Sequence, residues 1–231
     1  SMISPKATNF KYIDRGYTDP IVLIPGWATD YRIFDSLDLK FNYLVPIDFY
    51  PFGFEKSLLE VLKEKRIKKV SLLGLSLGGF IAAAFASKYV DLVDEVILIG
   101  IRKKYDKAQL RAIKPLIQKN KKAYLYKFYS QCFTDAEEMN WFRTNLLEGY
   151  CEEFDIQYLL DTLDSLEDFQ ITNSMLKGIG KLKIVHGEKD KIAPIEEAIE
   201  IKNQVNKAKF IPIKDAGHMP FWGRNFSDNK G

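Results

Sequence analysis

Cysteine is scarce in this chain of 231 residues, which carries only Cys132 and Cys151. They stand far apart, with no C-x-x-C pair and no Cys/His cluster, which excludes a disulfide framework and a structural zinc site. Two small buried thiols in a reducing compartment are the expectation. Long apolar runs are missing too. Val96-Ile97-Leu98-Ile99 is among the longest, far short of the ~20 residues that cross a bilayer. Ser1 to Lys6 lack the apolar stretch of a secretory leader, so a soluble, cytoplasmic protein without a membrane partner is expected. The net charge of +3 is too small to imply nucleic acid. No internal repeat or low-complexity stretch is present. With 46% apolar residues the chain can bury a substantial core without disulfides or metal, and no resident metal or cofactor is expected. A monomer is the expected state.

Short β-rich runs alternate with helical patterns along much of the chain. Ile21-Val22-Leu23-Ile24, Tyr43-Leu44-Val45, Val70-Ser71-Leu72-Leu73, Val96 to Ile99, Leu182 to Val185 and Phe210 to Ile213 are nearly continuous rather than alternating, as in parallel strands buried on both faces. Helical stretches near 55–65, 77–89 and 195–206 lie between them. This is the βαβ rhythm of a doubly wound α/β domain, with a mostly parallel central sheet flanked by helices.

From about Lys103 to Lys177 no strand-like run appears, and aromatic residues recur at helical spacing, as in Tyr124 and Phe128 or Leu125 and Tyr129. The expected organisation is a core of residues 1–101 and 178–231, with residues 102–177 inserted as a helical cap over the C-terminal edge of the sheet. Charge is unevenly spread in the insertion. Arg102 to Lys127 hold ten Lys or Arg and a single acid, Asp106, whereas Thr134 to Asp168 hold eleven Asp or Glu and a single base, Arg143. One basic half and one acidic half could form an electrostatic docking face.

Gly74-Leu75-Ser76-Leu77-Gly78-Gly79 fits G-x-S-x-G, follows the run Val70 to Leu73 and precedes the Ala-rich helix start Phe80 to Ala86. Where a strand turns sharply into a helix, the serine backbone is strained and small residues are needed two positions to either side. Gly74 and Gly78 meet that need. The helix N-terminus beneath Ser76 would favour a developing oxyanion.

A serine hydroxyl is a weak nucleophile until an imidazole can take its proton, and the chain has only two histidines. His218, in Asp215-Ala216-Gly217-His218-Met219-Pro220, follows the last strand and would stand at the sheet's C-terminal edge; it is the expected base. His186 ends a buried run and reads as a packed strand-end residue. The acid that holds the imidazole tautomer should lie between serine and histidine on a loop after a strand. Asp190, in Gly187-Glu188-Lys189-Asp190, fits best, with Glu188 and Asp106 as rivals. The oxyanion hole is expected from the N–H groups of Leu77 and of Trp27, in the loop Pro25-Gly26-Trp27-Ala28 after the first buried run.

Taken together, Pro25-Gly26-Trp27, Gly74 to Gly79, His186 to Asp190 and Gly217-His218-Met219-Pro220-Phe221 resemble the α/β-hydrolase superfamily over nearly the whole chain. The resemblance implies the α/β-hydrolase fold and a Ser76-His218-Asp190 triad working through an acyl-enzyme. The tryptophan after the oxyanion glycine, the short chain and the stretch Leu159 to Asp168 are similar to the pimeloyl-acyl-carrier-protein methyl ester esterases of biotin synthesis. That likeness implies cleavage of a methyl ester on a carrier-bound acyl chain; a generic small-ester carboxylesterase and a non-catalytic binder of hydrophobic ligands remain alternatives. An acidic carrier protein could dock on Lys103, Lys104, Lys107 and Arg111. Trp27, Tyr124, Phe128, Tyr129 and Phe133 could line an acyl tunnel, although a helical aromatic stripe is more often core. Two departures from the family pattern stand out: Pro25, where histidine is common, and the tail Arg224 to Gly231, where a longer helix is usual.

Overall fold

The computed structural model describes residues 7–227; Ser1 to Lys6 and Asp228 to Gly231, to which the readings of the leader and the tail partly apply, lie outside them. The elements run β1 (Phe10–Ile13), β2 (Pro20–Ile24), β3 (Asn42–Pro46), α1 (Phe54–Glu64), β4 (Val70–Leu75), α2 (Leu77–Lys88) and β5 (Val93–Ile99). Then follow α3 (Lys107–Lys119), α4 (Lys121–Cys132), α5 (Ala136–Phe142), a π-helical turn at Arg143–Leu147, α6 (Glu148–Glu153), α7 (Ile156–Ser165) and α8 (Asn173–Lys177). The chain closes with β6 (Lys181–Gly187), α9 (Ile195–Gln204) and β7 (Lys209–Ile213).

The strands form a seven-stranded sheet in the order β1-β3-β2-β4-β5-β6-β7, all parallel except β1, which runs antiparallel to β3. Central strands β2 and β4 are buried along almost their whole length, so their Ile, Val and Leu side chains serve two cores at once. β1 is absent from the strand-like runs of the sequence. It is an edge strand, FKYI, with Lys11 exposed and its other residues half-buried, so it carries no continuous apolar signal. Helix α2 packs on β4 and β5, and α9 on β6 and β7. The Gly and Ala residues of α2 let it lie close: Gly78, Gly79, Ala82, Ala83 and Ala86 are all buried.

Between β5 and β6 the described chain is helical, and the sequence opens these helices by side-chain caps. Asp106, Asn120, Asp135, Asp155 and Thr172 each accept an N–H from the first turn of α3, α4, α5, α7 and α8. The acidic and basic halves of this segment fold onto each other: Arg111 pairs with Glu167, Lys114 with Asp164, and Lys122 with Glu148 and Glu152. An aromatic cluster of Tyr129, Phe142 and Tyr150 sits beneath, with ring centroids 4.9–5.9 Å apart. Cys132 and Cys151 are free and buried, and burial pushes both thiols up. Among the described residues, no helix is long and apolar enough to cross a membrane.

Glu138 on α5 is a buried carboxylate, 3% exposed, and neither of its oxygens has a hydrogen-bond partner. Arg224 lies 3.6 Å away but is not hydrogen-bonded to it. Burial pushes the carboxyl up to about 7, against an ordinary 4.5. In the folded protein the proton therefore stays on at pH values where the unfolded chain has released it. Stability from this group is full below pH 4.5 and is lost as pH rises to about 7. The loss is on the order of 3 kcal/mol at most. Thermal melts of Glu138→Gln between pH 4 and 8 should show a flatter profile than the parent and a higher melting temperature at pH 8. Parallel profiles would rule this out.

Candidate active site

Ser76 stands between β4 and α2 with φ 52° and ψ −110°, a left-handed backbone that costs a non-glycine residue about 1–3 kcal/mol. The turn is held by the Ser76 N–H donating to the Ile99 carbonyl of β5 at 2.8 Å. Its flanks must be glycine. A Cβ on Gly74 would lie 2.3 Å from the Gly78 carbonyl oxygen, and one on Gly78 would lie 2.2 Å from the Ile24 carbonyl oxygen. The second contact shows that the first turn of α2 is pressed against the end of β2. The loop of Pro25 to Ala28 and the serine turn therefore meet.

That loop is rigid. Thr29 sends both its N–H and its hydroxyl to the Gly26 carbonyl, at 3.3 and 2.9 Å. Ala28 adopts φ 56°, and its carbonyl accepts the Tyr129 hydroxyl of α4 at 2.5 Å. The indole N–H of Trp27 donates to Leu159 of α7 at 3.0 Å, and its ring meets Phe128 edge-on at 5.1 Å. The backbone N–H groups of Trp27 and Leu77 make no hydrogen bond to any described residue. Leu77 is the first residue of α2, so its N–H has no acceptor within the helix and lies at the positive end of the dipole.

Asp190 follows β6 and His218 follows β7, and both are buried. The His218 Nδ1–H donates to Asp190 Oδ2 at 2.7 Å, while Oδ1 accepts the N–H groups of Ile192 and Ala193, each at 2.8 Å. Burial alone would raise the Asp190 carboxyl, but the charge and hydrogen bond of His218, with the Ala193 N–H, outweigh it and hold the group below its usual range. An ionised Asp190 fixes the proton on Nδ1 and leaves Nε2 as the acceptor. The ring lies over Gly100, at the end of β5, where a Cβ would stand 2.8 Å from Cε1. The His218 N–H donates to the Cys132 carbonyl of α4 at 2.8 Å.

His186 is fully buried, with Nε2 on the Ala193 carbonyl at 2.6 Å and 3.4 Å from Asp190 Oδ2. Burial lowers its pKa, so it packs as a neutral ring behind the acid. The rival acids lie elsewhere: Asp106 caps α3, and Glu188 is exposed.

Ser76 and His218 share a cavity of about 220 Å³ with Gly26, Trp27, Tyr105, Leu110, Ile113, Tyr124, Phe128, Leu163 and Met219. Arg102, Gln109, Gln131 and Lys191 add polar groups to its wall. Tyr129 is not on that wall, which corrects its expected place in an acyl tunnel. Its helical spacing from Leu125 turns it into the core, where it is completely buried and bonded to Ala28. Phe133 likewise stacks on Phe142, 4.7 Å away. Of the basic residues, Lys103 reaches Glu200 and Gln204 on α9, and Arg111 holds Glu167, while Lys104 and Lys107 are exposed.

Sequence reasoning missed Tyr105. Its hydroxyl lies 3.1 Å from Ser76 Oγ, and among the described residues it is the hydrogen-bond partner of that hydroxyl; no Ser76–His218 hydrogen bond is formed. No motif flags this position, which depends on how the loop after β5 folds back. Among the described residues no three His, Cys, Asp or Glu side chains are placed to hold a metal ion.

A family model described as the alpha/beta hydrolase fold matches residues 42–224, more than three-quarters of the chain. The chain belongs to the α/β-hydrolase family. A curated relative of this α/β hydrolase, the AB hydrolase superfamily protein YisY of Bacillus subtilis (strain 168), is 22% identical over 90% of this chain and 88% of its own. Solved structures with the same fold include an esterase from Exiguobacterium antarcticum, with TM-score 0.77, 19% identity and coverage of 91% of this chain and 89% of the other. A bromoperoxidase from Bacillus anthracis matches at TM-score 0.76 and 18% identity, over 91% and 88% of the two chains. The meta-cleavage product hydrolase CumD of Pseudomonas fluorescens IP01 matches at 0.72 and 15%, over 92% and 87%. At these identities the structures share the α/β-hydrolase fold, and their differing activities show that the fold alone does not choose among reactions.

Proposed function

We propose that this α/β hydrolase cleaves carboxylic esters through an acyl-enzyme on Ser76. The observation that carries the reading is the 2.7 Å Asp190–His218 hydrogen bond opening onto the same cavity as a serine held at φ 52°. Ser76 Oγ turns from Tyr105 to His218 Nε2 and attacks the ester carbonyl as its proton passes to the imidazole. The carbonyl electron pair moves to oxygen, facing the N–H groups of Trp27 and Leu77. Collapse breaks the bond to the alcohol, which leaves with the proton from His218. Water, deprotonated by His218, then releases the acid.

The finer reading is that the ester is a methyl ester on a pimeloyl chain borne by acyl carrier protein. It takes support from the largely apolar wall of Trp27, Tyr124, Phe128, Leu110 and Ile113, and from exposed Lys104 and Lys107 on either side of Tyr105. Lys103 and Arg111 belong to the same docking proposal, as groups that would exchange Glu200 and Glu167 for a partner's acids. Free thiols at Cys132 and Cys151 suit a cytoplasmic, reducing setting.

A fluorophosphonate probe tests the reaction class. The expected result is one covalent adduct per chain on Ser76, absent from Ser76→Ala together with nitrophenyl-ester turnover; labelling that survives the substitution would sink the hydrolase reading. Methyl pimeloyl-acyl-carrier-protein offered beside nitrophenyl esters of increasing length tests the substrate. Turnover of the short esters alone would leave a generic carboxylesterase.

A further inference from the structure

The esterase reading uses Ser76, His218, Asp190 and two backbone N–H groups, and leaves unexplained why a tyrosine hydroxyl stands on the nucleophile. Tyr105 is not a loose side chain. The Arg102 guanidinium lies over its ring at 5.1 Å, Arg102 is in turn held 2.6 Å from Glu197, and the Phe80 ring meets it from the core at 6.1 Å. Its hydroxyl points into the cavity and is 3.1 Å from Ser76 Oγ. Burial pushes the phenol up to about 12, so it is a neutral O–H donor at any working pH and not a base.

The strand order says which side of the reaction it faces. Ser76 follows β4, whose neighbours are β2 and β5. The Trp27 loop extends β2, on one side of the nucleophile. His218, packed over Gly100, lies on the β5 side, and so does Tyr105, whose ring sits under Arg102, itself paired with Glu197 on α9 after β6. Once a carbonyl carbon is bonded to Ser76 Oγ, its oxyanion faces the β2 side. The alkoxy oxygen must face His218, which protonates it, and it is therefore on the side of Tyr105.

We propose that Tyr105 is a further catalytic residue: on substrate entry its O–H leaves Ser76 Oγ and donates a hydrogen bond to the alkoxy oxygen of the ester. The proton that leaves with the alcohol still comes from His218; Tyr105 keeps its own. The bond matters as the C–O bond breaks and charge builds on that oxygen, so it favours esters of unactivated alcohols such as methanol or ethanol. A nitrophenolate needs no such help. This rests on the esterase reading and gives it a substrate class: alkyl esters rather than activated aryl or thioesters.

The test compares Tyr105→Phe with the parent on methyl, ethyl and nitrophenyl esters of one acyl group, reading kcat/KM, which reports acylation. Loss of a hydrogen bond to developing charge should lower kcat/KM about 10- to 100-fold on the alkyl esters. The nitrophenyl ester should change less than about threefold, which also shows that the variant is folded. Equal losses on all three esters would reduce Tyr105 to a support for Ser76, and no loss on any would dismiss it; both overturn the proposal. Should the variant not fold, the parent alone decides. Its kcat/KM should depend only weakly on the acidity of the leaving alcohol, and a steep dependence overturns the proposal. Failure of the esterase reading looks different, since the parent would then turn over no ester in a Ser76-dependent way.

Discussion

Asp190→Asn is expected to lower kcat by about 10⁴-fold while leaving the protein folded. Asp190 Oδ1 accepts the N–H groups of Ile192 and Ala193, and an amide oxygen can keep those bonds. The amide nitrogen is then forced toward His218 Nδ1, where the carboxylate oxygen now accepts the Nδ1–H hydrogen bond at 2.7 Å. A donor facing Nδ1 flips the imidazole to the tautomer with its proton on Nε2, which can no longer take a proton from Ser76. The imidazolium of the transition state also loses its counter-charge. Circular dichroism melts close to the parent, together with the collapse of nitrophenyl-ester kcat, would show a chemical rather than a folding defect. A variant within tenfold of the parent would mean that Asp190 does not orient the base.

Gly100→Ala should lose about 100-fold in kcat, because a methyl group here enters the volume of the His218 ring, the proposed base. The added carbon would lie 2.8 Å from His218 Cε1 and 2.9 Å from Nδ1, well inside van der Waals contact, so the imidazole must shift. The ring cannot shift freely, since the His218 N–H is tied to Cys132 and Nδ1 to Asp190. Gly100 also has φ 63°, and alanine in that left-handed region costs roughly 1–2 kcal/mol. Denaturant melts should therefore show a modest loss of stability beside a much larger loss of activity. Full activity in a destabilised variant would place the ring elsewhere than over Gly100.

How far the sequence was legible follows from where each signal lies. Ile21 to Ile24 and Val70 to Leu73 read as buried parallel strands because burial on both faces leaves a continuous apolar run, which survives without knowledge of neighbours. β1 did not, because a half-buried edge strand needs only Phe10, Tyr12 and Ile13 inward and tolerates Lys11. Ser76, Asp190 and His218 could be picked out as candidates because histidines are few and the loops after β4, β6 and β7 are marked by glycine. Tyr129 was misplaced because helical spacing tells which residues share a face, not whether that face looks into a cavity or a core. Tyr105 and Gly100 were invisible for a related reason. Each acquires its role only when the loop after β5 meets residues far along the chain, Ser76 in one case and His218 in the other.

The bonds of Leu159 to Trp27, Tyr129 to Ala28 and Cys132 to His218 tie the helices between β5 and β6 to the Trp27 loop and to His218. In many enzymes a recognition element can be exchanged while the reaction centre is left alone. Here such a transplant would carry off the supports of both the Trp27 loop and His218. Changes of substrate range by shuffling this segment between relatives would therefore alter turnover as well, and new specificities are more accessible through the side chains of α3, Gln109, Leu110 and Ile113, which line the cavity without bracing either loop.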